Sequence, residues 1–386
     1  MESICPGTDL YTRTVYERIR HMDKDIRQIV ITGGPCGGKS TAVGWIQTNL
    51  AKDGWKVFVV PETATEFITG GVAPWTCGSN LDYQKCQMTL QLEKERLFRK
   101  AALSMPDEKI LIVCDRGALD NKVYMNDEEF AAVLAEVGQN EVELLDRYDA
   151  VYHLVTAAKG AVEFYTTANN GARIETPEQA ASMDDKFIDA WTGHPHLRII
   201  DNRGNFAEKM QHLIREITAF CGCPSMVDNR RKYLIKYPDI DRLMSMRGVR
   251  KLEITKTYLR SPDDESIWLR KSGAGGHYTY MEITRRYPLS AERIEIERRL
   301  TAEEYLRLTL EADPSYKDVT KTRYCFAYNN NYFQIDLYPF WNNRAIAIVE
   351  QLKDAGLQIM FPEGIDVVRD VTDDPEYKNK KIAGLV

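Results

Sequence analysis

The stretch Ile29-Val30-Ile31-Thr32-Gly33-Gly34-Pro35-Cys36-Gly37-Gly38-Lys39-Ser40-Thr41 reads as an apolar strand running into a glycine loop that ends in Lys-Ser-Thr. Gly33, Gly38, Lys39 and Ser40 fit the pattern G-x-x-x-x-G-K-[ST] of a phosphate-binding loop. Glycines let consecutive backbone N–H groups turn inward around a polyphosphate, and the helix that follows presents its positive end. Lys39 is placed to reach the β- and γ-phosphates and Ser40 to hold Mg²⁺. The whole run Gly33, Gly34, Pro35, Cys36, Gly37, Gly38, Lys39, Ser40 and Thr41 is therefore expected to bind a nucleotide.

Context supports this reading. The β-branched run before the loop suits a buried parallel strand. Lys39 to Lys52 places Ala42, Ile46 and Leu50 on one helical face, and Asp53-Gly54 stops the helix. Further strands are expected at Trp55–Val60, Ile110–Asp115, Ala150–Val155 and Leu197–Ile200, with helix between them. Phe206, Met210, Leu213, Ile217 and Phe220 mark a closing amphipathic helix. Such alternation predicts an α/β doubly wound parallel sheet.

Composition sets the outer bounds. The 386 residues suggest two or three domains, and 44% hydrophobic with 28% charged residues is ordinary for a globular chain. A net charge of −6 argues against bulk nucleic-acid binding. Met1 to Lys24 lacks the apolar centre of a signal peptide, and no run approaches the ~18 apolar residues of a membrane span. Cys221-Gly-Cys223 has no zinc-type partner among the eight cysteines, so reduced thiols and a cytoplasmic location are expected. Cys36, inside the loop and near a helix N-terminus, is a candidate for oxidation.

Asp115 ends a buried strand where open α/β sheets place ligands, and would hold Mg²⁺ or accept a proton; the alternative is a helix cap. Arg116 follows as a phosphate clamp. Glu62 ends the second strand in a parallel position, facing an acceptor pocket or standing as loop charge. The polar insert Lys159 to Asp189 holds Arg173 and Lys186, and Arg173 is the candidate lid cation. Asp201-Asn202 is placed near the base.

The loop, Pro61-Glu-Thr-Ala-Thr-Glu66, Cys114-Asp-Arg-Gly117 and the insert together resemble the AAA-type kinase-like P-loop family, which includes the ribosylnicotinamide kinase domain of the NadR proteins. The resemblance covers about the first 220 residues. It implies Mg–NTP binding and a strand order of 2-3-1-4-5.

From Arg230 the texture changes to strands with period-two charge, interrupted by one helix, Ala302 to Leu310, behind a Thr301…Glu304 capping box. Arg293, Glu295 and Glu297 share one strand face, as do Lys321 and Arg323, and Thr284 and Arg286. These faces either meet solvent or curl together into a polar tunnel suited to a polyphosphate. In order, Lys232-Tyr-Leu-Ile235, Thr255-Lys-Thr-Tyr-Leu259, Arg270, Thr284-x-Arg286, Arg293-x-Glu295-x-Glu297, Lys321-x-Arg323, Asp336 and Asp370-Val-Thr372…Tyr377-Lys-Asn379 resemble the CYTH family of triphosphate tunnel metalloenzymes. That resemblance implies an α+β domain built on an eight-stranded antiparallel tunnel that binds a phosphorylated ligand. The family's opening Glu-x-Glu-x-Lys reads Asp228-x-Arg230-x-Lys232, one arginine of its Arg-x-Arg pair is Trp268, and its late Glu-x-Glu reads Ile348-x-Glu350. Cations are kept and carboxylates lost, which weakens metal binding more than phosphate binding.

The fusion resembles the TRPL translocation defect protein family, which implies GTP beside ATP as a ligand and an anionic phospholipid head group beside a small metabolite. The expected division is residues 1–225, a P-loop kinase-like domain, and 226–386, a CYTH-like tunnel. The expected function is Mg-dependent NTP hydrolysis or phosphoryl transfer, with a nucleotide-controlled switch and a tunnel triphosphatase as alternatives. Lys39, Asp115, Arg116 and Arg173 would be catalytic, with Ser40 and Asp115 on the metal. Glu62, Lys232, Arg270, Arg286, Arg293, Glu295, Glu297, Lys321, Arg323, Asp336 and Glu350 would meet the acceptor or tunnel ligand.

Overall fold

The computed structural model describes residues 24–161, 176–222, 230–262, 264–286, 294–350 and 359–383. The first part is a five-stranded sheet of β1 (Asp25–Thr32), β2 (Lys56–Val60), β3 (Lys109–Asp115), β4 (Ala150–Leu154) and β5 (Leu197–Ile200). All pairings are parallel and the order is β2-β3-β1-β4-β5, as the kinase-like resemblance implies.

Helices cover both faces: α1 (Lys39–Leu50), α2 (Thr63–Thr69), α3 (Asn80–Ser104), α4 (Asp127–Glu136), α5 (Glu141–Asp146), α6 (Pro177–Trp191) and α7 (Phe206–Phe220). Strand alternation sorts the core. Ile29, Ile31, Leu111 and Val113 pack under Ala42 and Ile46 of α1 and Met210 and Leu213 of α7. Val30, Ile110 and Ile112 pack on the other face with Met88, Phe130, Leu144 and Trp191. Each fully buried Ile or Leu stabilises by about 1.5–3 kcal/mol, so both faces hold the strands rigidly under the loop.

The second part is a nine-stranded antiparallel sheet. Its strands are β6 (Arg230–Lys236), β7 (Arg250–Tyr258), β8 (Glu265–Ala274), β9 (His277–Arg286), β10 (Ile294–Leu300), β11 (Val319–Tyr328), β12 (Asn331–Leu337), β13 (Arg344–Glu350) and β14 (Val367–Asp370). Their order is β10-β9-β8-β7-β11-β12-β13-β6-β14. The ninth strand, beyond the eight of the CYTH resemblance, is β14, which pairs with the edge of β6 through an irregular register at Val367 and Arg369. Helices α8 (Ile240–Met244), α9 (Ala302–Thr309) and α10 (Asn379–Ala383) complete it. The Thr301–Glu304 capping box opens α9 as expected: Thr301 N donates to Glu304 at 2.8 Å, and Glu304 N to Thr301 Oγ1 at 3.2 Å.

This sheet curls. Against burial, Arg285 and Arg270 hold the Glu295 and Glu297 carboxyls of β10 low, and Arg230 on β6 lies near enough to add to this, although six strands of the order stand between β6 and β10. The α/β parallel domain is thus followed by an antiparallel tunnel-type domain. Among the described residues no helix is long and apolar enough to cross a membrane.

Candidate functional site

The glycine loop leaves β1 at Gly33, whose φ of 138° needs glycine, and enters α1 at Gly38, with φ 91°. A Cβ on Gly38 would lie 2.8 Å from Phe206 Cε2. Ala42 N closes the first helical bond onto Gly38 O at 2.9 Å, and α1 has no side-chain N-cap, so its first N–H groups remain for an anion. Ser40 and Thr41 are exposed there.

Lys39 folds back over the loop, donating to Gly33 O at 3.0 Å and Gly34 O at 3.1 Å. Burial and then Arg116 lower its ammonium to about 7, against the pull of Glu62 and Asp115. Asp115 pairs with Ile31 across the sheet, beside the loop's origin. Burial and Glu62 raise its carboxyl, and its buried Oδ1 has no hydrogen-bond partner. It does not cap the following 3₁₀ helix (Ala118–Tyr124); Asp120 takes the Gly117 N–H at 3.2 Å instead.

Arg116 stands at φ 79° and bridges two elements, donating through Nε to Glu62 at 3.0 Å and through Nη1 to Gly33 O at 3.0 Å. Its guanidinium stacks 4.4 Å from the Phe187 ring. Lys39, Asp115, Arg116 and Glu62 therefore converge at the carboxyl ends of β1, β2 and β3, and Glu62 belongs to this site rather than to the tunnel.

A supporting network was not legible beforehand. Asp184 on α6 accepts from Gly34 N at 2.9 Å and Thr156 N at 3.1 Å, and meets His153 Nε2 and Lys159 Nζ, each at 3.0 Å. Burial alone would raise this carboxyl; His153, Lys159 and Gly34 hold it far below its ordinary value. Lys209 on α7 donates to Gly37 O, Val155 O and Asn202 Oδ1 at 3.0, 2.6 and 2.8 Å. Burial lowers it to about 8, against Asp184 and Asp201. Asn202 also donates to Thr156 O and Lys159 O, so it braces the loop's neighbours.

The insert is corrected in part. From Pro177 it is a packed helix, because Ala180, Asp184, Phe187, Ile188 and Trp191 fall on one buried face. Lys186 is exposed. Arg173 lies outside the described residues.

In the curled sheet, register brings a second constellation together. Asp336 of β12 sits opposite Arg323 of β11, accepting from its Nε at 2.6 Å and Nη2 at 2.9 Å, and from Lys321 Nζ at 2.6 Å. Burial would raise Asp336, but Arg323 and Lys321 hold it at about 2; burial in turn lowers Lys321 to about 8. Arg270 of β8 lies 3.6 Å from Glu297, and Arg285 of β9 pairs with Glu295 at 2.6 Å. Lys232 and Lys321 both act on Lys256, whose ammonium rests 3.8 Å from the Trp268 ring.

Arg286 is the exception among the tunnel positions. Glu295 pairs with Arg285, so Arg286 points to the opposite face, where it donates to Glu265 at 2.6 Å. Thr284 and Arg286 share a strand face, but a one-residue offset decides which face is interior. Among the described residues Lys256, Arg285 and Arg299 are interior cations outside the expected set; Lys256 is visible inside Thr255-Lys-Thr. Arg293 and the side chain of Glu350 lie outside the described residues, although the Glu350 backbone pairs with Arg230.

Residues 28–209 match the family model of an AAA domain, so the loop, Asp115, Arg116 and Asp184 all fall within the matched span. No curated protein matches the chain. Among solved structures, the chain is similar to the inorganic triphosphatase NE1496, with 23% identity, 42% of this chain and 97% of that one covered, and a TM-score of 0.31. It is also similar to the PH1012 protein from Pyrococcus horikoshii OT3, with 17% identity, 32% and 79% covered, and a TM-score of 0.24. The antiparallel nine-stranded architecture is read from the strand order itself.

Proposed function

We propose that the first domain binds Mg–ATP or Mg–GTP and hydrolyses or transfers the γ-phosphoryl group. The observation that carries this reading is the buried, unpartnered Oδ1 of Asp115 beside the glycine loop. Mg²⁺ typically binds through one or two carboxylates, waters and the substrate's own phosphates. Asp115 with the exposed Ser40 hydroxyl fits such an ion, which would neutralise charge on the phosphates. Lys39 would leave the loop carbonyls for the phosphates, and Arg116 is held ready by Glu62 to stabilise the transferred group. Lys39→Ala and Asp115→Asn should each abolish nucleotide turnover in a phosphate-release assay. Unchanged turnover in a clean preparation of either would sink the assignment.

A second reading, a nucleotide-controlled switch whose tunnel senses a phosphorylated metabolite or phospholipid head group, is favoured by α6. That helix holds Gly34 through Asp184, while Asp185 and Asp189 are paired with Arg247 of the second domain at 2.6 and 3.3 Å. Calorimetry separates the readings. Tight nucleotide binding with negligible turnover, and nucleotide-dependent affinity in the tunnel, would select the switch. Hydrolysis by the tunnel is disfavoured because Glu295, Glu297 and Asp336 are all engaged by cations.

A further inference from the structure

The interior of the curled sheet has two ends, and register says which residues lie at each. Along β7 the end near Arg250 and Leu252 lies against the first domain. Cys325 of β11 and Tyr332 and Gln334 of β12 lie level with the near end.

Every one of these neighbouring strands meets the first domain there. Leu252, Ile254, Cys325 and Tyr332 share one continuous apolar core with Tyr148 and Trp191. The Tyr332 hydroxyl accepts from Gly193 N at 3.0 Å. Arg250 pairs with Glu141 of α5 at 2.5 Å. On β10, Arg299 reaches Asp149 at 2.6 Å and Tyr148 O at 3.1 Å. Two residues before Arg299 on the same strand, Glu297 lies 3.6 Å from His196 Nε2 and also faces Arg270. One cavity is lined jointly by Arg270, Glu297 and Arg323 of the sheet and by Tyr148, His194 and His196 of the first domain.

We infer that the tunnel is a blind pocket whose floor is the Gly193–His196 segment and the α5 region of the first domain, so that it accepts the terminal phosphoryl group of a ligand and does not let a chain pass through. This rests on the reading of the tunnel as a phosphate site. The chemistry agrees with an end group. Arg270 and Arg323 line the cavity directly beside this floor, and Lys321 and Lys256 lie further along β11 and β7. Beside such cations a terminal phosphoryl, with its extra negative charge and free oxygen, gains more than a bridging unit. An interior phosphate of a long chain would have to continue through Tyr148 and Trp191. The ligand class is therefore a phosphate monoester or a short polyphosphate with a free end.

The test uses the full-length chain carrying Lys39→Ala, so that the glycine loop does not compete. Tripolyphosphate and two linear polyphosphates, one twice the length of the other, are titrated by calorimetry and sized by sedimentation. The expected result is one protein per chain end, saturating at the same number for both long chains, and loss of binding when both ends are esterified. Stoichiometry that grows with chain length, or undiminished affinity for the end-blocked chain, would overturn the blind floor alone. No binding of tripolyphosphate would remove the phosphate reading and this proposal with it.

Discussion

Asp184 accepts the backbone N–H of Gly34 at 2.9 Å, which ties the glycine loop to a helix that the second domain also grips. The carboxylate is fully buried, and every oxygen contact it makes is to a positive or polar group that positions the loop: Thr156 N, His153 and Lys159. The loop's shape is thus set from behind by side chains, as well as by its glycines.

Asp184 makes an acid-stability prediction. Its folded carboxyl lies far below the unfolded value, so its contribution is present above about pH 4 and is lost as pH falls below that. Asp184→Asn should cost about 3 kcal/mol at pH 7 and flatten the fall in stability between pH 5 and 3. Urea unfolding across that range measures both effects, and parallel pH profiles would contradict the assignment.

Lys39 predicts proton uptake on nucleotide binding. Burial and Arg116 hold its ammonium at about 7, so at pH 8 most of it is neutral. A polyphosphate beside it raises that value, and close to one proton, about 0.9, should be taken up at pH 8. Calorimetry in buffers of different ionisation enthalpy reads this directly, and Lys39→Met should abolish it.

Two glycines in one segment should respond in opposite directions. Gly38→Ala combines φ 91° with a clash against Phe206, and should cost about 1–3 kcal/mol and remove nucleotide binding. Gly44, exposed within α1, has nothing within 4 Å of an added Cβ. Gly44→Ala should therefore stabilise by about 0.5–1 kcal/mol and leave binding intact. Thermal unfolding with and without nucleotide checks both.

Asp336 is the carboxylate that counters Lys321 and Arg323. Asp336→Asn leaves Lys321 and Arg323 buried without an anion, and should destabilise by about 3–5 kcal/mol at pH 7. With a folded value of about 2, the wild-type contribution is present above the ordinary carboxyl value and is lost as pH falls through about 2. Added tripolyphosphate should restore part of the lost stability by supplying the missing negative charge, a shift visible in the thermal midpoint.

Much of the first site was legible because its signals are local. A strand, six loop residues and a helix start lie within one short run, and Asp115 and Arg116 end a strand whose apolar character is plain. Asp184, Lys209 and Asp120 were not legible, since each is a single polar residue in a helix or turn with no motif. Asp120, buried between Thr32 Oγ1 and Trp191 Nε1 at 2.6 Å each, acquires its role only when the strand and helix close on it. In the second domain alternation showed which residues share a face, yet Arg286 and Arg285 changed places because only pairing with β10 sets which face turns inward.

The sequence by itself determined the phosphate loop, the alternating strands and helices, the change of texture near residue 230 and the charged strand faces. These follow from backbone preference and hydrophobic period, which are local. Only the tertiary structure decided that Asp184 and Lys209 brace the loop, that Arg285 and Lys256 line the tunnel, and that Tyr148, Trp191 and His196 stand at its near end. Those relationships depend on contacts between residues far apart in the chain, and a buried charge or an aromatic floor has no sequence signature until packing removes it from water.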